Sequence, residues 1–164
     1  MRKIRLEKIT LSCGTGTAPG TVDKAFKLLS IISTKTPVKT SSNKRIPAFN
    51  VRPGLAIGCK VTVRGKDASE LLKRLLNSIG NKLQKKQFNP GSLAFGIKEY
   101  IEIPGMIYHR EVGIMGLDVN ITLGRAGFRI NRRRGKTGRV PNRHRITKEE
   151  TEKFMEDNFK TIIE

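Results

Sequence analysis

The residues whose chemistry stands out lie together in "RAGFRINRRRGKTGRVPNRHR", residues 125–145. Nine of them are Arg or Lys, eight of those are Arg, and none of the stretch is acidic. A guanidinium binds phosphate oxygens bidentately, so such a run suits a polyanion with closely spaced phosphates. Facing only water, the same charges would repel one another. The bland alternatives are a solvated charge run and a targeting signal. Gly127, Gly135, Gly138 and Pro141 keep the stretch from forming one long helix. It therefore reads as an irregular arm that follows a groove in RNA and orders on contact. The phosphate ligands expected in it are Arg125, Arg129, Arg132, Arg133 and Arg134, followed by Lys136, Arg139, Arg143 and Arg145, with His144 among them. With roughly six phosphate contacts, log affinity should fall against log salt with a slope of about −4 to −5.

Other chemistries lack their residues. "GTGTAPG" is rich in glycine but has no Gly-Lys-Ser/Thr and does not fit G-x-G-x-x-G, so it reads as a tight turn. The helix start beside it, at Thr21 and Val22, still offers N–H groups to a phosphate of a larger RNA. Cys13 and Cys59 are far apart in sequence and form no Cys-x-x-Cys pair, and His109 and His144 stand alone. Neither a zinc site nor a Cys–His nucleophile is expected. Glu99 and Glu102 read as solvated residues at a strand end. No catalytic constellation emerges, and no cofactor is called for.

These groups need elements to hold them. Ile4 and Leu6 share one parity, Ile9 and Leu11 the other, so the first strand should carry a bulge at Glu7–Lys8. A helix is expected over residues 22–33, with Thr21 as its N-cap and Asp23 in its first turn. A short strand is expected within residues 37–44. Residues 57–64 form the clearest strand, with Ile57, Cys59, Val61 and Val63 pointing one way. Asp67 with Glu70 should open a second helix carrying Leu71, Leu72, Leu75 and Leu76. Leu93, Phe95 and Ile97 alternate, as do Leu117, Val119, Ile121 and Leu123. Thr147 and Glu150 form a capping-box pattern before a final helix with Phe154, Met155, Phe159 and Ile162.

The order β-α-β-β-α-β-β predicts an α+β fold of the ferredoxin-like, split βαβ kind. It should have a mostly antiparallel sheet with helices on one face, plus the basic arm and a C-terminal helix. The expected organisation is one α+β RNA-binding domain over residues 1–124, the arm over 125–146, and the last helix over 147–164, packed on the same domain. The uncovered sheet face should display Thr10, Lys60, Thr62, Arg64 and Asn120, which suits RNA laid across it. Lys8 and Lys39 join this RNA-binding set. With no Trp and 5% aromatic residues, base stacking is not the main term. The proline-stiffened "KRIPAFNVRPGLA" sets Lys44, Arg45, Asn50 and Arg52 around Phe49 and Val51. It is either a binding tip or an ordinary long hairpin loop.

Bulk properties agree. The net charge of +19 on 164 residues, with 37% hydrophobic residues, describes a folded chain with an anionic partner. Nucleic acid is the first candidate. A membrane surface is the second, but the apolar runs are far too short for a span. The N-terminus has no apolar signal core, and two cysteines without a disulfide framework fit a reducing cytosol.

"RLEKITLSCGTG", "AIGCKVTVRG" and "FGIKEYIEIPGMIYHREVGIMGLDVNITL" together resemble the universal large-subunit ribosomal protein five family, the 5S-rRNA-binding ribosomal proteins. The resemblance extends over essentially the whole chain, and the arm with "HRIT" is similar to the archaeal and eukaryotic branch. It implies a non-enzymatic, cytoplasmic, ribosome-bound protein that holds 5S rRNA and large-subunit rRNA in the central protuberance, beside neighbouring proteins there. It implies that the loop of Lys44, Arg45, Phe49, Asn50 and Arg52 approaches the P-site tRNA, and that another surface bridges to a small-subunit head protein. Where the family reads Asn-x-Gly-x-Gly-Glu, this chain has Ser12 and Thr17, and Ser12 takes the place of a 5S rRNA contact. Pro47 and Pro53 are additions in the loop.

Overall fold

A computed structural model describes residues 2–18 and 20–164. The main elements are β1 (Ile4–Gly14), α1 (Thr21–Ser33), β2 (Val38–Ser41), β3 (Ala56–Val63) and α2 (Lys66–Ser78). Two short strands follow, β4 (Lys82–Leu83) and β5 (Phe88–Asn89), and then β6 (Ser92–Ile97) and β7 (Leu117–Arg125). The chain ends in α3 (Lys148–Phe159) and a two-residue β8 (Ile162–Ile163).

The six-stranded sheet runs β2-β3-β1-β7-β6-β5, with every neighbouring pair antiparallel. Its first four strands are the split βαβ expected from the sequence: β3 lies between β1 and β2, and β1 lies between β3 and β7. β6 extends the sheet beyond β7, and the short β5 forms that edge. Ile9, Leu11, Val61, Val63, Val119 and Ile121 are buried on one face. On that face α1 packs mainly against β3, and α2 against β1. Leu28, Leu29, Leu72 and Leu75 close the layer with no exposed surface. Gly58 in β3 is required by a close approach, since a Cβ there would sit 2.6 Å from the Cys13 carbonyl oxygen.

The bulge falls where the phase switch put it, between Leu6 and Lys8 in the pairing with β7. Three terminal details differ from expectation. Gly20, with φ 79°, is the N-cap of α1, and the Thr21 hydroxyl instead donates to the Ala18 carbonyl at 2.6 Å. A left-handed turn is needed there, and glycine supplies it at no steric cost. Pro19, part of the predicted Gly-rich turn, lies outside the described residues. Gly65 likewise caps α2, while the Asp67 carboxylate pairs with Lys35 at 3.0 Å. Ile162 leaves the last helix, because Lys160 turns left-handed at φ 53° and the chain then pairs in parallel with β4.

Cys13 and Cys59, distant in sequence, are direct partners across β1 and β3. Both are buried, and burial pushes the Cys13 thiol up to about 11 and raises that of Cys59. Neither is a thiolate nucleophile near neutral pH.

The arm is held at its base by one guanidinium. The side chain of Arg125, the last residue of β7, is 6% exposed. Its Nη1 donates to the carbonyls of His144 and Arg145, each at 3.2 Å. Its Nη2 meets the Glu150 carboxylate at 2.6 Å. Glu150 completes the predicted capping box: the Thr147 N–H donates to Oε2 at 3.0 Å, and the Thr147 hydroxyl accepts from the Glu150 N–H at 3.3 Å. Met155 is fully buried and seats α3 on the body. The arm is thus a closed loop with both ends tied to the same guanidinium.

Arg125→Met should cost about 2 kcal/mol, because it leaves two carbonyls and a partly buried carboxylate unpaired. In a thermal melt that is a drop of roughly 4 to 8 °C for a chain of this size. Arg125→Lys should recover only part, since one ammonium cannot span the three acceptors. The Thr147 N–H and then Arg125 hold the Glu150 carboxyl below its ordinary value of 4.5. A carboxyl depressed on folding stabilises the fold above its unfolded pKa. That contribution disappears as pH falls through the lower folded value. Glu150→Gln should therefore flatten the acid side of a Tm-against-pH curve below about pH 4.5 and leave its shape near neutrality unchanged.

Candidate nucleic-acid interface

The face of the sheet opposite the helices is open. Register builds it in rows. Thr62, Thr10 and Asn120 stand side by side on β3, β1 and β7, and Lys60, Ser12 and Asp118 form the next row. Lys8 sits opposite Thr122. Lys60, Thr62, Arg64 and Asn120 are exposed, and Lys8, Thr10, Ser12 and Thr122 are half-buried. The middle of the face offers hydroxyls and an amide, which both donate and accept. Asp118 adds one carboxylate, which the sequence reading did not include. Beside it a shallow hollow of about 360 Å³ lies against Gln87, Ala94, Gly96 and Asn120.

Lys39 is not part of this face. It pairs with Cys59 in register, which turns it towards the helices, where its ammonium meets Asp23 at 2.7 Å. The contact lowers the Asp23 carboxyl and raises the Lys39 ammonium. Both shifts come first from their shared hydrogen bond.

Charge rises towards one end of the sheet. There the arm folds over the ends of β1, β3 and β7 and encloses a cleft of about 810 Å³. Arg5, Lys8 and Arg64 line it from the sheet, and Arg129, Arg132, Arg133 and Arg134 from the arm. Glu7 is the one acid among the lining residues. The bulge sets Glu7 and Lys8 on the same open face, and Gly124 leaves room for the Glu7 side chain: a Cβ on Gly124 would be 3.0 Å from Oε2. Glu7 accepts a hydrogen bond from Arg132. The phase switch in the sequence was the signal for Glu7, since a bulge aims two successive side chains alike.

The predicted arm residues divide by role. Arg129, Arg133, Arg134, Lys136, Arg139, Arg143 and Arg145 are exposed, and no acid pairs with them among the described residues. Arg133 Nε donates to the Lys136 carbonyl at 2.6 Å, which curls the tip. Arg125 and His144 are structural. His144 Nε2 lies 2.9 Å from the Ala126 carbonyl, and its ring meets Phe128 edge-on at 5.5 Å between centroids.

The 44–55 loop is an ordered tip on the β2–β3 hairpin. Ile46 and Val51 exchange backbone hydrogen bonds of 3.0 and 3.1 Å around the 3-10 turn Pro47–Phe49. Pro47 opens the turn and Asn50, at φ 54°, closes it. Val51 is buried, whereas Phe49 is 69% exposed. Lys44, Arg45, Asn50 and Arg52 are exposed around it. The structure thus keeps the loop residues together but sets them on a projection separate from the cleft.

Comparisons with known proteins agree with the resemblance read from the sequence. Residues 1–52 match the family described as "Ribosomal protein L5", and residues 56–154 match the model for the C-terminus of the same ribosomal family. The large ribosomal subunit protein uL5 of Sulfurisphaera tokodaii is 46% identical over 100% of this chain and 94% of its own length. Its counterpart in Nanoarchaeum equitans is 45% identical over 97% of this chain and 95% of its own. That of Methanobrevibacter smithii is 42% identical over 97% and 94%. Both halves of the chain, the open-faced sheet and the arm are therefore accounted for together: the chain belongs to the ribosomal protein L5 family, in its archaeal type.

Proposed function

We propose that the protein is a structural, non-enzymatic constituent of the large ribosomal subunit that binds 5S rRNA and large-subunit rRNA in the central protuberance. The coarse part follows from membership of a ribosomal protein family whose relatives are named as large-subunit proteins. The RNA reading rests on one observation above all: the cleft under the arm opens directly onto the uncovered sheet face. RNA phosphates would occupy the cleft through Arg64, Arg129 and Arg134. Thr10, Ser12, Thr62 and Asn120 would meet sugar hydroxyls and base edges with groups that donate and accept. Arginine recognises phosphate by geometry as well as charge, so shape complementarity adds to counterion release.

The projecting 44–55 tip supports a separate role, contact with the P-site tRNA through Phe49 and Arg52. A further surface would bridge to a small-subunit head protein, and neighbouring central-protuberance proteins would cover others. The working location is the ribosome in the cytoplasm.

Equilibrium binding to 5S rRNA and to a structured RNA of equal length, across a salt series, tests the core of this reading. A preference for 5S rRNA that persists at high salt is expected. Equal affinity for both would leave a non-specific basic nucleic-acid binder, the alternative that the charge alone would satisfy. Arg133→Ala with Arg134→Ala and Arg139→Ala should weaken binding to both RNAs and reduce the salt slope by about 2 to 3, roughly 0.7–0.9 for each phosphate no longer neutralised. An unchanged slope would exclude the arm as a phosphate clamp. Phe49→Ala with Arg52→Ala should leave 5S rRNA affinity within about twofold while lowering translation by reconstituted subunits, because both side chains are exposed away from the cleft. A large loss of 5S rRNA binding in that variant would contradict the division of roles.

A further inference from the structure

We propose that Glu7 is an internal substitute for an RNA phosphate: in the free protein its carboxylate occupies a phosphate site on Arg132, and RNA displaces it. This rests on the proposed RNA-binding reading of the cleft and adds to it a specific site and an exchange of anions.

Four observations lead there. The bulge in β1 turns Glu7 out of the core and into the basic cleft. One of its oxygens accepts from Arg132, the arm residue that closes over the sheet. The other, Oε2, is buried and has no hydrogen-bond partner. Arg5, Lys8, Arg64, Arg129 and Arg134 share the cleft, and among the described residues no second acid lines it. A buried carboxylate oxygen without a donor is poorly satisfied, so little besides Arg132 holds Glu7 in place. The rest of the cleft is cationic and accommodates a group with more oxygens than a carboxylate has.

A phosphodiester presents two anionic oxygens to the same guanidinium edge that Glu7 uses. The two anions cannot both sit on that edge without strong repulsion at contact distance. Without RNA, Glu7 is the one anionic side chain among the cations of the cleft and occupies the Arg132 edge. When RNA enters, the phosphate takes over Arg132 and the carboxylate swings towards solvent. No bond is made or broken. The cost is one ion pair, recovered in the phosphate contact.

A double-mutant cycle in RNA binding decides the matter. Glu7→Gln keeps the shape and removes the charge, Arg132→Ala removes the contested guanidinium, and the pair combines both. Affinities for 5S rRNA and for the control RNA of equal length are measured for the full chain at several salt concentrations, with thermal melts confirming that each variant folds. Glu7→Ala serves as a second version of the acid deletion. Glu7→Gln is expected to tighten binding to both RNAs by roughly threefold to tenfold. In the Arg132→Ala background the same substitution should change affinity by less than about twofold. Weaker binding, or none gained, by Glu7→Gln would show that the carboxylate positions Arg132 and stays in the complex, and would overturn the proposal. An equal gain in both backgrounds would overturn it too, as a plain effect of net charge. Because the cycle is read on the control RNA as well, a missing 5S preference would count against the proposed function and leave this result standing.

Discussion

The structure depends on the placement of one guanidinium. Like charges crowded into residues 125–145 repel one another, and a tie with several acceptors opposes that repulsion at the base of the loop. Arg125 makes that tie by joining the end of β7 to the end of the arm and to the capping residue of α3. Its fork geometry matters, because the three acceptors lie in two directions. The Thr147–Glu150 box works in the same junction: it starts α3 and fixes the carboxylate that receives Arg125. A local helix signal and a long-range tie share one side chain. The cleft follows from this closure, since an arm free at one end would leave the ends of β1, β3 and β7 uncovered.

The sheet contributes by having one buried face and one open face. Alternation along β3 and β7 commits every second residue to the core, and antiparallel register lines up the remainder across strands. The bulge at Glu7 interrupts that rule in β1, at the strand end nearest the arm. It places an acid where simple alternation would have put a core residue, and it strengthens local twist under the arm. The cleft is therefore built from three local departures from regular structure: a bulge, Gly124 in β7, and the left-handed Gly127 that turns the chain into the arm.

Much of this was legible in the sequence because it is local. Period-2 patterns at residues 57–63 and 117–123 admit one assignment, the phase switch at Glu7–Lys8 locates the bulge, and the capping box locates α3. The roles of Arg125 and His144 were not legible. In sequence both are members of a basic run, and their carbonyl partners lie 18 to 20 residues away. Burial selects one arginine out of eight, and burial is a property of the closed loop. Lys39 was hidden for a related reason: its orientation depends on its register opposite Cys59, and the short β2 has no hydrophobic alternation to reveal it.

Acids temper the basic surface at a few defined places. Basic residues occur throughout the chain, and four lysines on the helix side and the edges have acidic partners: Lys39 with Asp23, Lys35 with Asp67, Lys27 with Glu111, and Lys82 with Glu164. These pairs are exposed and contribute little to stability. Their consequence is electrostatic, since they cancel the field over the surface they cover. Near the arm only Glu7 and Glu150 form ion pairs with arginine among the described residues, and Glu150 is committed to the base of the loop. Seven of the nine bases of the arm are left without an acidic partner among the described residues. A partner with closely spaced phosphates would be drawn to that cluster. Asp118 lies farther along the open face, and Glu7 is the one acid among the residues that line the cleft, which is why it calls for a role.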